Sequence, residues 1–282
     1  MSDELTRVLI LVETYPTLSE KYAELVCTAG VKEDGSWIRI YPVPYRRLSK
    51  EKRYHKYHWI EAPLIRNTSD KRFESYKVSD ISRITLLDSC LSTKNGWKER
   101  KDFLFSKVKI WDDLQVLIQC SRETDLSLAM FKPKSIENFI IEPTEREWDQ
   151  EKYQNIMRDI KEPSLFDSDE DKLKKETFKI AEKLPYKFFY QFTDSKETKH
   201  KMMIEDWEIG QLYWNTLADC NGDEECAIKK VKQKYFDEFV FEKDLYLFLG
   251  TTKQFHNRGK NPFIIIGMFY PPKNTNPTLF EI

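Results

Sequence analysis

Branched apolar residues run without a break from Val8 to Val12 inside Arg7–Glu13, the pattern of a strand covered on both faces. Leu25–Lys32 and Ser36–Val43 flank Glu33-Asp34-Gly35, and an Asp-Gly pair between two β-rich runs predicts a hairpin. In the second arm Ile38 and Ile40 alternate with Trp37, Arg39 and Tyr41, so one face is aliphatic and the other aromatic–Arg–aromatic. His58–Pro63 and Ser82–Leu87 read as further strands. Trp111–Gln119 reads as a helix with Asp112 and Asp113 in its first turn, and Phe139–Glu142 as a closing strand before Pro143.

The pattern then changes. The stretch from Glu142 to Asp171 is strongly acidic and predicts a helix over Trp148–Ile160 followed by an exposed linker at 164–172. Tyr186–Thr193 is an alternating aromatic strand and Lys201–Ile204 a short one. Asp206–Leu217 is a helix capped by Asp206, with Trp207, Leu212, Trp214 and Leu217 near helical spacing. A second helix over Glu224–Phe239 and two strands, Asp244–Thr251 and Pro262–Tyr270, complete the pattern. The expected fold class is α/β of the α+β type. An N-terminal β-rich OB- or PUA-like barrel spans residues 1–145, an acidic helix and linker 146–180, and a C-terminal mixed α+β domain with an aromatic core 181–282.

A length of 282 residues suits two such domains. The aromatic share of 14% exceeds what two modest cores require and points to aromatic sheets, a stacking surface, or both. The net charge of −1 gives no global basic field, so any nucleic-acid site has to concentrate positive charge locally. Cys27, Cys90, Cys120, Cys220 and Cys226 show no CxxC spacing and follow no export signal, so reduced thiols in the cytoplasm are expected. No apolar stretch reaches the ~20 residues of a spanning helix, so no membrane partner is expected.

Positive charge is concentrated after the hairpin. Arg46, Arg47, Lys50, Lys52, Arg53 and Lys56 are interleaved with Tyr45, Tyr54, Tyr57 and Trp59, and Lys94, Lys98, Arg100 and Lys101 surround Trp97. Phosphates need guanidinium forks and point charges, and unpaired bases need flat faces. The leading expectation is a nucleic-acid site. Trp37, Arg39 and Tyr41 form an outward strand face, Arg46, Arg47, Arg53 and Lys56 hold phosphates, and bases stack on Trp37, Tyr45 or Tyr57. Trp97, and His256 and Arg258 from the polar loop between the last two strands, contribute. The same basic run also reads as a solvated loop beside a core.

A hydrolytic alternative has His200, Asp206 and His256 converging with Glu205 or Glu208 on a metal or a water, although these carboxylates also make an ordinary acidic first turn. A third reading is an interaction subunit that docks a protein partner of a defence complex. No catalytic residue, metal site or cofactor is assigned, and enzyme activity is left open.

The segment from Thr14 to Leu48, with Cys27, Ala29 and Gly30 on one strand and Trp37, Ile38 and Arg39 on the next, resembles a motif of uncharacterised bacterial proteins. More loosely it is similar to tandem OB-like domains encoded among mobile-element and phage-defence genes. Residues 127–142 and 248–272 carry further likeness to that group. The resemblance implies oligonucleotide binding by a small barrel in a phage-defence or DNA-modification setting and assigns no catalytic residue.

Overall fold

A computed structural model describes residues 5–19, 23–161 and 178–273; the linker expected at 164–172 lies outside them. Strands β1 (Leu5–Glu13), β3 (Ala23–Val31), β4 (Trp37–Val43), β6 (Ser75–Val78) and β5 (His58–Arg66) pair in that order, and β5 pairs back onto β1. The result is a closed five-stranded barrel. β2 (Thr17–Ser19) extends β3, and β7 (Thr85–Cys90) extends β5. The predicted hairpin forms: Gly35 has φ of 82°, and a Cβ there would stand 2.1 Å from the Lys107 carbonyl oxygen, so glycine is required on two counts.

Helix α1 (Lys94–Lys107) leads to the second sheet, whose order is β10 (Ser135–Pro143), β11 (Tyr186–Thr193), β12 (Lys199–Ile204), β14 (Phe263–Phe269), β13 (Tyr246–Thr251), β9 (Leu128–Phe131) and β8 (Ile110–Trp111). Helix α2 (Leu114–Thr124) joins β8 to β9, and Asp113 caps it by accepting hydrogen bonds from the Gln115 and Val116 amides. Helix α3 (Gln150–Lys161) packs Ile156 against Ala23 of the barrel. Helix α4 (Trp207–Asp219) is capped by Asp206 as its sequence predicts. α5 (Glu224–Lys232) continues through a π-helical turn at Gln233–Glu238 into α6 (Phe239–Glu242).

Phe139–Glu142 was expected to close the barrel, but its strand, β10, belongs to the second sheet, as does β9. Their partners lie far along the chain: Leu128–Phe131 pairs with β13, and Ser135–Pro143 with β11. The expectation of five reduced thiols also fails. The turn between α4 and α5 brings Cys220 and Cys226 to a Cα separation of 6.0 Å and they form a disulfide, while Cys27, Cys90 and Cys120 are free. Among the described residues no helix is long and apolar enough to cross a membrane.

Besides the small cluster at Ile156 and Ala23, three larger cores lie among the described residues. Val8, Ile10, Ile38, Ile40, Ile60 and Leu64 fill the barrel, and Phe188, Tyr190, Leu247, Leu249 and Ile265 pack under α4 and α5. Between them lies a core that both sheets share. Leu9, Leu11, Val12 and Val31 of the barrel meet Leu128, Met130, Phe248, Ile266 and Phe269 of the second sheet, with Leu104 of α1 and Val108 just after it. This explains the unbroken apolar run of β1: even positions point into the barrel and odd ones into the shared core, until a register shift between Ile10 and Val12 turns Val12 into the shared core as well.

Candidate functional site

The Trp37–Arg39–Tyr41 face of β4 was expected to meet solvent. The alternation is as read, but the second domain covers Trp37 and Arg39. Trp37 packs edge-on against Phe248 at 5.7 Å, and buried Arg39 donates hydrogen bonds to the Ser127 carbonyl at 3.2 Å and Ser127 Oγ at 3.1 Å. Ser127 in turn donates from its amide and its hydroxyl to Glu74 at 2.8 and 2.9 Å. Arg72, paired with Asp70, donates to the Thr251 carbonyl across the same interface. Tyr41 is half-buried, and its carbonyl accepts from Asn67 Nδ2. Trp37, Arg39 and Arg72 join the two domains, whereas the Tyr41 contact stays within the barrel.

The basic segment behaves differently. After Pro44 the chain makes two 3₁₀ turns, Tyr45–Arg47 and Lys50–Lys52, and Arg53 ties them together by donating to the Leu48 and Arg46 carbonyls at 3.0 and 2.7 Å. The interleaving of rings and cations is thereby sorted by burial. Tyr45, Leu48, Tyr54 and Tyr57 turn into the protein, whereas Arg47, Arg53 and His55 stay exposed and Arg46, ion-paired with Glu24, is half-exposed. The tyrosines are therefore a wall and not a free stacking platform. Tyr45 donates its hydroxyl to the Tyr54 carbonyl, and Tyr54 shares a 2.7 Å hydrogen bond with Thr28.

A cleft of about 530 Å³ opens where this segment faces the second domain. One wall carries Tyr45, Arg46, Arg53, His55 and Lys56; the other carries Trp207, Glu208 and Tyr270; Glu13, Tyr57 and Arg100 also line it. Trp207 packs edge-on against Tyr45 at 5.5 Å. Lys56 crosses the boundary and bridges Asp206 Oδ1 at 2.9 Å and Glu208 Oε2 at 3.0 Å. Burial opposes the ammonium charge, yet the two carboxylates outweigh it and hold the Lys56 pKa above its ordinary value. Asp206, buried at the head of α4, is pushed up to about 6 by burial against the pull of Lys56.

Glu13 stands at the end of β1, where the barrel strand reaches the cleft. It is 8% exposed, and its Oε1 has no hydrogen-bond partner. Burial raises its pKa to about 8; Lys56 draws it down, and Asp206 and Glu208 push it further up. Across from it, Arg100 lies 3.7 Å above the Tyr57 ring and 4.8 Å from that of Trp97, anchored by its Nε on the Leu91 carbonyl at 2.8 Å. The local backbone is strained to allow this: Tyr57 has φ of 69°, and Asn95, Gly96 and Trp97 are left-handed in succession within the first turn of α1.

The structure thus brings together Tyr45, Arg46, Arg53, Lys56 and Tyr57, with Trp97 behind Arg100. Arg47 is exposed outside the cleft lining. His256 and Arg258 stand apart: Tyr270 follows the cleft end of β14, whereas their loop joins β13 to β14 at the opposite end, a strand length of about 17 Å away. His256 is buried, with Nδ1 3.0 Å from Thr251 Oγ1, and Arg258 is exposed. The hydrolytic trio does not assemble. His200 pairs with Asp194 at 2.9 Å, Asp206 with Lys56, and His256 with Thr251. Among the described residues no three His, Cys, Asp or Glu side chains gather as a metal site. Arg100 entered the sequence reading only as a neighbour of Trp97 and Trp207 only as a helix residue, and Glu13 and Tyr270 were not singled out; the charge of Glu13, closing an apolar strand, was a signal.

A closed barrel joined through a shared core to a seven-stranded mixed sheet, with a polar cleft at their junction, defines the class of protein. The chain belongs to the family described as domain of unknown function DUF8757, whose model matches residues 111–282; the model of a second domain of unknown function, DUF8758, matches residues 4–106. No curated protein matches. A solved structure described as a murine DNA binding protein bound with ds DNA is similar at 9% identity and a TM-score of 0.31, covering 97% of this chain and 98% of that one.

Proposed function

We propose that the chain binds nucleic acid at the cleft between the barrel and the second domain. One observation carries this reading. Arg46, Arg53, His55 and Arg100 converge with the rings of Tyr45, Tyr57, Trp207 and Tyr270 in a single cleft of about 530 Å³ built from both domains. Guanidinium groups at the rim suit phosphate oxygens, and the aromatic walls suit a base. The site is smaller than the sequence suggests, because Trp37 and Arg39 serve the domain junction and Tyr41 is not among the cleft residues. Arg46, Arg53 and Arg100 allow about two or three phosphate contacts. The phage-defence and DNA-modification setting implied by the resemblance gains no support from the fold or the comparisons.

The test is equilibrium binding of labelled single-stranded DNA, duplex DNA and RNA at two salt concentrations. With three phosphate contacts, log K for a single strand falls by about 2 per tenfold rise in salt. Arg53→Glu with Arg100→Glu reduces both the affinity and that slope. A flat salt response, or unchanged binding by the double variant, refutes the proposal.

A further inference from the structure

The rim and the floor of the cleft are chemically different. Arg53 and His55 are exposed at the rim, and Arg46 and Arg100 are partly so. The floor holds Glu13, 8% exposed, and Tyr57, 5% exposed, with Lys56 behind them already committed to Asp206 and Glu208. Glu13 Oε1 and the Tyr57 hydroxyl are both buried and without a hydrogen-bond partner. Buried polar atoms in folded proteins are nearly always partnered, so two orphans lining one cleft mark a demand that a ligand can meet.

The ligand group that fits is flat, because the walls are rings. It carries donors and acceptors along an edge, because a carboxyl and a hydroxyl face it. It is not itself anionic, because Asp206 and Glu208 repel negative charge from the floor. A nucleobase satisfies all three conditions, and its phosphate is left at the rim beside the guanidinium groups.

We infer that the cleft takes one unpaired nucleotide base-first, with the Glu13 carboxyl and the Tyr57 hydroxyl on the base edge and Arg53 and Arg100 on the phosphate. This rests on the nucleic-acid reading above and narrows it: a base held in a duplex cannot enter, so strand ends, single strands or extruded nucleotides are the ligands. The charged groups around Glu13 are Lys56 from its own wall and Asp206 and Glu208 from α4. Tyr45 and Tyr54 lie alongside, and their own pKa values are raised by Glu13 after burial. In this setting the Glu13 carboxyl is protonated at neutral pH and both donates and accepts; once ionised it only accepts.

The experiment measures binding of the full chain to single-stranded oligo(dA), to the same strand in a duplex, and to an abasic strand of equal length. Glu13→Gln, Glu13→Leu and Tyr57→Phe are compared with the wild type, and thermal melting of each variant reports folding. Oligo(dA) is expected to bind at least about tenfold more tightly than the abasic strand or the duplex, and Glu13→Leu to lose a similar factor. Wild-type affinity for oligo(dA) should fall about tenfold between pH 7 and 9 as the acid ionises, while Glu13→Gln, which keeps a donor and an acceptor, stays level. Equal binding of oligo(dA) and the abasic strand, or identical pH profiles for wild type and Glu13→Gln, overturns the inference and leaves nucleic-acid binding standing. No binding of any strand at low salt removes the parent reading instead.

Discussion

Replacing Glu13 by glutamine tests the floor of the cleft without any ligand. Burial raises the carboxyl from an unfolded value of 4.5 to about 8. An acid whose pKa rises on folding binds its proton more tightly in the native state, so its contribution to stability is greatest below 4.5 and is lost as pH climbs toward 8. From about pH 5.5 to 7.5 the native protein keeps a proton that the unfolded chain has released, and at 1.36 kcal/mol per pH unit the loss is about 2.5 kcal/mol. Glutamine has nothing to release. Urea unfolding at several pH values should therefore show the stability of Glu13→Gln gaining about 2.5 kcal/mol on the wild type over that range, or about 5 °C in Tm for a chain of this size. Asp206 titrates in both proteins and largely cancels in the difference. Two stability curves that stay parallel would mean that Glu13 is ionised and solvated in the native state, and the account of a dry floor would be wrong.

Four other outcomes follow from the same structure. Lys56→Met strands Asp206 and Glu208 beside Glu13 without their cation and should cost about 3–5 kcal/mol in urea unfolding. Arg39→Ala leaves the Ser127 carbonyl, inside the domain junction, without its donor and should cost about 2–4 kcal/mol by the same measurement. Burial works against Asp70, but the bonds from Arg72 and Ser75 outweigh it and hold its pKa at about 2, so its contribution is present above the unfolded value of 3.8 and lost as pH falls through 2; Asp70→Asn should flatten that acid limb of the stability curve. A Cβ at Gly30 would stand 2.2 Å from the Leu9 carbonyl oxygen, so Gly30→Ala should prevent accumulation of folded protein, as judged by soluble yield and circular dichroism.

Local pattern reached far into this fold. The β1 run, the hairpin at Gly35, the Asp206 cap, the aromatic strand Tyr186–Thr193 and the last two strands all formed where side-chain period and turn chemistry placed them. Residues 110–143 were harder, because a strand of four residues, Leu128–Phe131, is held between the two-residue strand Ile110–Trp111 and a partner more than a hundred positions away. The site was half legible. Arg46, Arg53 and Lys56 announced themselves by charge density, but period alone does not say whether a polar face meets water or another domain, and Arg39 met another domain. Arg100 was visible only as one more basic residue near Trp97. Its placement over Tyr57 and Trp97 follows a left-handed turn that suits Asn95 and Gly96 but not Trp97, and such exceptions to local rules are where sites tend to lie.

The core shared by the two sheets has a consequence for how a ligand is received. Leu9 and Leu11 cannot be peeled from Phe248 and Ile266 without exposing both halves, so the halves are obligate companions and fragments made separately should stick to each other or precipitate. The spacing of the cleft walls is consequently set once, when the chain folds. A ligand that enters between them meets walls already in place, so no free energy is spent on bringing the walls together.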